Sequence, residues 1–472
     1  MKIRHFQLIL LGLCSLIFPT LSYAQLSNTL YFSQHNPRQH RVNPATQPEG
    51  KFYVGVPALS ALGVKAGNSR FSFQDLFQNI EVDGQKRTVF ILDEHAHGVE
   101  DFYKKIKYKE RLFASYDISL LDFGFRLKHN DYITVGVNTR MEAMTIIPHQ
   151  FPDWFLHGME NREEYDFRLD KLSASALIFT EVAMGYSRVF DEDWHFGAKV
   201  KFLLGHGNVH TDFFNAELTG SEQEWALKGD AAIRGALPGL QIITDEKGRI
   251  KEVAFDGDQP ISSYTRPKGF GAALDLGVTY QLLPQLQLSA SLLDLGIIRW
   301  GRDLVSLEKS SNFVYKGVEY DINNDTIDYY GEYKNQIDNF YTVNESPHNY
   351  STSICAKILI GGEYAFWDGR VGVGILSKTS FYHRTAWEEL VVSANFRPNR
   401  WVGASLAYNL FDGQWSNLSA GLNLNLGPVN LNMAVDNIPF KYGKTNGVLH
   451  PTDKRSVGAM VGLAVVCGYK EK

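Results

Sequence analysis

Leu418-Ser-Ala-Gly-Leu-Asn-Leu-Asn-Leu426, then Gly427-Pro428, then Val429-Asn-Leu-Asn-Met-Ala-Val435 is the stretch whose reading decides the fold. Leu418, Ala420, Leu422, Leu424 and Leu426 alternate with Ser419, Gly421, Asn423 and Asn425. Past the turn, Val429, Leu431, Met433 and Val435 alternate with Asn430, Asn432 and Ala434. A period of two sends each set to one face of a strand, and Gly-Pro closes the runs into a hairpin. One face is apolar, and the other is small or polar with little charge. Such a hairpin suits a soluble sandwich or a membrane barrel, so the decision passes to the rest of the chain.

The first residues predict export. Lys2 and Arg4 precede an apolar run, Phe6 to Phe18, and Ser22-Tyr23-Ala24 supplies small residues for cleavage. This reads as a signal peptide over 1–24, too short to cross a bilayer as a helix. Losing Lys2 and Arg4 with it moves the formal net charge from −5 to −7. That mild acidity argues against nucleic acid and against a polybasic membrane-surface role. No later stretch holds eighteen consecutive apolar residues, so helical spans are not expected. Aromatic residues at 13 % and 41 glycines suit many strands with close-packed small faces and aromatic girdles.

Strand pairs with tight turns recur along the chain. Leu112–Leu127 and Tyr132–Met141 meet at 129–131, Ala176–Val189 and Trp194–Leu204 at 191–193, and Phe270–Tyr280 and Leu286–Leu293 at 283–285. Asn349–Tyr364 and Arg370–Ser377 follow, then Trp387–Phe396 and Arg400–Leu410, then the hairpin quoted above, and last Arg455–Tyr469. With Phe52–Val56 in front the count is fourteen, provided that pieces such as Glu224–Ile233 belong to a loop excursion. Long connections at 142–175, 205–268, 294–349 and 437–454 alternate with the short turns. Short turns on one side and long loops on the other describe an outer-membrane barrel. The expected fold is therefore an all-β transmembrane antiparallel barrel over 50–472, with 25–49 as an N-terminal plug-like segment. A large soluble exported β protein is the alternative.

Alternation also assigns faces. Glu181, Lys199, Lys201, Asp275, Lys357 and Glu363 fall opposite apolar partners and are expected to face the lumen, where charge meets water or a counter-charge. Trp194, Trp367 and Trp401 flank short turns, the place of an aromatic girdle. Cys355 and Cys467 fall on opposite faces, which predicts two free thiols.

The exported start, Asn43-Pro44-Ala45, Phe196-Gly-Ala-Lys-Val-Lys-Phe-Leu-Leu-Gly205 and Leu292-Leu-Asp-Leu-Gly-Ile-Ile-Arg-Trp300 resemble an uncharacterised family of Bacteroidetes outer-membrane barrels. That family is similar in layout to the FadL-type fatty-acid transporters and to the PorV and PorP barrels of type IX secretion. The first likeness implies a fourteen-stranded barrel with a plugged lumen that binds or passes a small hydrophobic molecule. The second implies a non-transporting partner in protein secretion or surface assembly.

Several candidate sites stand beside plainer structural readings. Asn43, Pro44 and Ala45 suggest a fixed turn of the plug, Pro44 holding Asn43 extended. Asp321, Asn323, Asp325 and Glu332 sit at positions 1, 3, 5 and 12 of a calcium loop, yet Thr326 replaces the glycine of position 6, which favours a solvated acidic loop. His95 and His97 lack further ligands for a metal. Trp154 and Phe155, in an aromatic run from Phe151 to Met159, suggest a ligand mouth or a capping helix. No nucleophile elbow, phosphate loop or zinc spacing is present, so neither catalysis nor a cofactor is expected. Outer-membrane lipid, a hydrophobic ligand and secretion or assembly proteins are the expected partners.

Overall fold

Carried along the chain, period-two alternation yields a closed antiparallel barrel of fourteen strands. The computed structural model describes residues 28–468 apart from 151–163, 316–343 and stretches of one to five residues in other connections. The strands are β1 (Phe52–Gly55 and Leu62–Asn68), β2 (Glu110–Arg126), β3 (Asp131–Ile147), β4 (Ser173–Val189) and β5 (Trp194–Ser221). They continue with β6 (Gly269–Leu283), β7 (Leu286–Trp300), β8 (Tyr350–Ser353 and Ala356–Phe366), β9 (Val371–Tyr382) and β10 (Thr385–Asn399). Last come β11 (Val402–Phe411), β12 (Gln414–Leu426), β13 (Val429–Asp436) and β14 (Ser456–Cys467). Each pairs with the next, and β14 closes on β1 through Phe52↔Cys467 and Leu62↔Val461. Closure matters because a lipid-facing sheet edge would leave backbone groups unbonded in hydrocarbon.

The outward face is apolar. Val200, Phe202, Ile297, Ile360, Ile375 and Leu406 are all exposed, an arrangement that lipid, not water, makes favourable. At the short-turn end Trp194 stacks on Tyr280 with ring centroids 4.3 Å apart. Trp367 and Trp401 are also exposed there, completing an interfacial girdle. Cys355 and Cys467 are free thiols.

Three departures from simple alternation shape the lumen and its mouth. The first strand was expected as Phe52–Val56 alone. In the structure it resumes at Leu62, and residues 56–61 stand opposite only Gly462 and Leu463 of β14. Pro57, which donates no backbone hydrogen bond, lies in this interruption. Ala58 takes φ 61° there, and Ser60 turns inward to bond Asp122 Oδ2 at 3.1 Å. Second, β5 runs well past the expected Leu204. Its far half pairs with Trp225–Ala236 and Glu164–Arg168, and Trp225–Ala236 pairs in turn with Leu304–Tyr315. A membrane strand needs only about ten residues, so the 28 residues of β5 project a sheet beyond the long-loop end. Third, β7 carries a bulge where the register against β6 shifts between Leu274 and Leu276.

Candidate functional site in the lumen

The lumen is occupied by the chain's own N-terminal segment. Two short 3₁₀ turns, Asn28–Leu30 and Gln39–Arg41, give residues 28–50 a compact course. Their partners lie on strands all round the barrel. Tyr31 bonds Ser289 of β7 at 3.0 Å, and Arg397 of β10 donates to the Phe32 carbonyl at 2.9 Å. Arg41 grips Asp117 of β2 through both carboxylate oxygens at 2.7 Å, while Ser291 of β7 donates to the Val42 carbonyl at 2.8 Å. Only a segment inside the barrel can touch opposite walls in this way.

Asn43, Pro44 and Ala45 form the turn that seats it. Asn43 Oδ1 accepts the Ala45 N–H at 3.0 Å, Asn43 Nδ2 donates to the Val278 carbonyl of β6 at 3.2 Å, and the Asn43 carbonyl accepts from the Thr46 hydroxyl at 2.8 Å. The wall is cut away to admit the turn. A Cβ at Gly197 would strike the Pro44 carbonyl, and one at Gly277 would strike Asn43 Oδ1. The lumen glycines of β8, β9, β12 and β14 likewise face Tyr31, Phe32, Thr29 and Arg38. The glycine-rich lumen face is thus a seat for the segment.

Above the segment lies a network of buried charge. Glu181, Lys199, Lys201, Asp275, Lys357 and Glu363 all point inward and are each at most 6 % exposed. Their centre is Asp294, on the β7 bulge. Its φ of 60° is a backbone region that Asp tolerates better than most side chains. The bulge brings both Leu293 and Asp294 inside. Arg140 donates to both Asp294 oxygens at 2.8 and 2.9 Å, Lys201 to Oδ1 at 2.6 Å and Lys357 to Oδ2 at 3.0 Å. Arg140 also bonds Glu142 at 2.7 Å and Glu181 at 3.1 Å, and Lys201 pairs with Asp275 at 2.8 Å. Sequence reading missed Asp294 because Leu292-Leu293-Asp294-Leu295 breaks the period. A carboxylate inside an apolar run was the available signal. Glu363 stands apart, held by Arg397 at 2.9 Å and Asn395 at 2.8 Å.

Two cavities adjoin this network. The inner one, about 80 Å³, lies among Arg41, Asp117, Glu181, Lys199, Lys201 and Asp294. The other, about 60 Å³, opens toward the long-loop end and is walled by Phe113, Met144, Cys355, Tyr382 and Trp387. Lys357 and Lys378 border both. Glu389 anchors Lys378 at 3.3 Å and Lys65 at 3.1 Å, and Arg111 lies over the Trp387 ring at 5.7 Å. The second cavity therefore has apolar walls and a charged floor. None of its aromatic residues was singled out from sequence, since alternation ranks faces and not depth.

Other expected sites are elsewhere or undescribed. His97 is exposed, and its N–H donates to Gln78 Oε1 at 3.0 Å. His95, Trp154, Phe155, Asp321, Asn323, Asp325, Glu332 and the leader 1–24 lie outside the described residues. Among the described residues no group of His, Cys, Asp and Glu is arranged to hold a metal ion.

Several solved structures are similar to this chain. The toluene transporter TbuX of Ralstonia pickettii is 12 % identical, with 91 % of this chain and 93 % of that one covered at a TM-score of 0.42. The P. putida toluene transporter TodX is 12 % identical over 91 % and 93 % at 0.39. A Pseudomonas aeruginosa FadL homologue is 10 % identical over 96 % and 99 % at 0.38. No curated protein sequence matches. Residues 44–436 match the family of unknown function DUF5723, and the chain belongs to that family.

Proposed function

We propose that this barrel lies in the outer membrane of a Gram-negative bacterium, short turns in the periplasm and long loops outside, and takes up a small hydrophobic molecule with a charged or polar end. The observation that carries the reading is the second cavity, with Phe113, Met144, Tyr382 and Trp387 as walls and Lys357 and Lys378 beneath them. Apolar walls with a few placed polar groups are the usual make-up of a small-molecule site. Its size sets the mode. About 60 Å³ is well under the roughly 150 Å³ that admits benzene to a dry apolar cavity. A ligand must therefore displace Trp387 or Tyr382, and the N-terminal segment blocks the way beyond. Binding precedes passage, and passage requires that segment to move.

Brominated decanoate, which quenches tryptophan at contact, tests this in the full-length barrel in lipid nanodiscs. Saturable quenching is expected, and Trp387→Phe should abolish it. Lys378→Met should weaken decanoate binding about tenfold, the worth of one charge-assisted bond, and leave a brominated alkane of equal length unchanged. No saturable quenching by either probe would sink the reading.

A second reading, a non-transporting partner in secretion or surface assembly, is supported by the sheet that β5, Trp225–Ala236 and Leu304–Tyr315 project past the barrel. A stoichiometric protein that co-purifies with the full chain and is lost when Trp225–Ala236 is trimmed would favour it. Recovery of the bare barrel would count against it.

A further inference from the structure

We propose that His40 is an acid-sensitive latch, holding residues 28–50 in the lumen at neutral pH and loosening them when it gains a proton. The observation is a directed row of four side chains. Lys199 Nζ lies 2.7 Å from His40 Nδ1, His40 Nε2 lies 2.6 Å from the Tyr53 hydroxyl, and Tyr53 lies 2.8 Å from Asp122 Oδ1. Asp122 accepts from the Ser60 hydroxyl as well. A carboxylate only accepts, so the Tyr53 proton points to Asp122 and the Tyr53 oxygen receives the His40 Nε2–H. His40 Nδ1 is then left facing an amine, and the Nδ1–Nζ contact holds one proton between two nitrogens. A second proton would set two cations 2.7 Å apart.

The surroundings do not rescue that state. His40 is 5 % exposed, Lys199 6 %, Tyr53 0 % and Asp122 2 %, so repulsion between like charges is poorly screened. On the segment itself Arg38 and Arg41 add positive charge. Asp117 of β2 is taken by Arg41, and Lys201 of β5 by Asp275 and Asp294. Asp122 is 4.0 Å from His40 Nε2 and already bonded by Tyr53 and Ser60. Burial first, then Lys199, Arg41 and Arg38, hold His40 well below the ordinary imidazole range. Released into water, the same ring would titrate near its ordinary value of about 6.5. The docked state thus binds fewer protons than the released one. Docking is at full strength above that value and weakens as pH falls through it, by up to tenfold per pH unit for a single proton.

Hydrogen–deuterium exchange of the full-length barrel in lipid nanodiscs, from pH 8 to 5 and corrected for the intrinsic exchange rate, reads this directly. Protection of peptides from 28–50 should fall by up to tenfold per unit below about pH 6.5, while β12 and β13 hold level. In His40→Gln the side-chain amide offers an acceptor to Lys199 and a donor to Tyr53 at every pH, so its profile should be flat. A flat wild-type profile overturns the proposal without recourse to any variant. A slope that persists in His40→Gln overturns it too, by placing the proton on another group.

Discussion

Two sides of the same lumen solve the problem of burying polar groups in different ways. From β3 to β8 the wall uses charge: Arg140, Lys201 and Lys357 against Glu142, Glu181, Asp275 and Asp294. From β11 to β13, short of Asp436 at the end of β13, it uses neutral amides and hydroxyls: Ser405, Asn409, Ser419, Asn423, Asn425, Asn430 and Asn432 are all buried. Asn430 Nδ2 donates to Asn423 at 2.9 Å and Asn425 at 2.6 Å, and Asn409 donates to Ser419 at 2.7 Å. A buried charge is costly without its partner, whereas a buried amide is only mildly so. The charged side is therefore rigidly interdependent, and the asparagine side is forgiving. Both cavities abut the charged network, while Asn430 and Asn432 meet Arg38 and Asn36 of the N-terminal segment.

The widest gap between the two sides should appear at Asp294. Asp294→Asn leaves Arg140, Lys201 and Lys357 crowded with one carboxylate fewer, and unfolding in urea should show a loss of about 3–5 kcal/mol, the cost of orphaning buried charge. Asn430→Ala on the other side should cost about 1 kcal/mol per amide bond lost. Removing a cation as well, in Asp294→Asn with Lys357→Met, should recover part of the first loss. Equal losses at Asp294 and Asn430 would dissolve the distinction between the walls.

How much of this was legible in the sequence follows from what period two reports. It gives faces and turns, so the fourteen strands and the aromatic belt at Trp194, Trp367 and Trp401 were readable from alternation alone. It does not give what a face touches. Gly197 and Gly277 read as small lumen positions, and only the folded chain shows that Asn43 and Pro44 fill the space they leave. It also fails wherever a strand slips by one residue. The β7 bulge hid Asp294, and the interruption at 56–61 hid the second half of β1. The far half of β5 was hidden for another reason, because a membrane-length strand was expected to stop near Leu204.

The next contrast concerns how tightly each wall holds the segment. Gly277→Val puts side-chain atoms where Asn43 Oδ1 sits, so the Asn43 turn must lift. Losing its bond to Val278 should raise exchange of peptides from 39–47 by about tenfold and open a conductance in planar bilayers. At Gly421 a Cβ would meet Thr29 Oγ1 at 3.0 Å and Leu30 Cδ2 at 3.1 Å, contacts that a small shift relieves. Gly421→Ala should leave exchange of 28–38 within about twofold, a change of under half a kcal/mol. If both variants release their contacts equally, the segment is held as one body and the walls do not differ in grip.

The smallest expected effect is also the sharpest probe of the asparagine side. Arg38 is fully buried, and its guanidinium donates a long bond to Asn430 Oδ1 at 3.3 Å. Its Nε and Nη1 have no hydrogen-bond partner among the described residues. Asn430→Asp would offer this guanidinium a carboxylate, a gain of roughly 1.5–3 kcal/mol for a charge-assisted bond. The same change removes the amide donor that satisfies Asn423 and Asn425 and turns the new oxygens toward theirs, a loss of similar size. The two should cancel to within about 1 kcal/mol in urea unfolding. A net gain well beyond that would mean that Arg38 lacks a counter-charge and that this wall tolerates ions as readily as the other. A large loss would mean that the amide ladder, and not the segment, is what the asparagine side is built to keep.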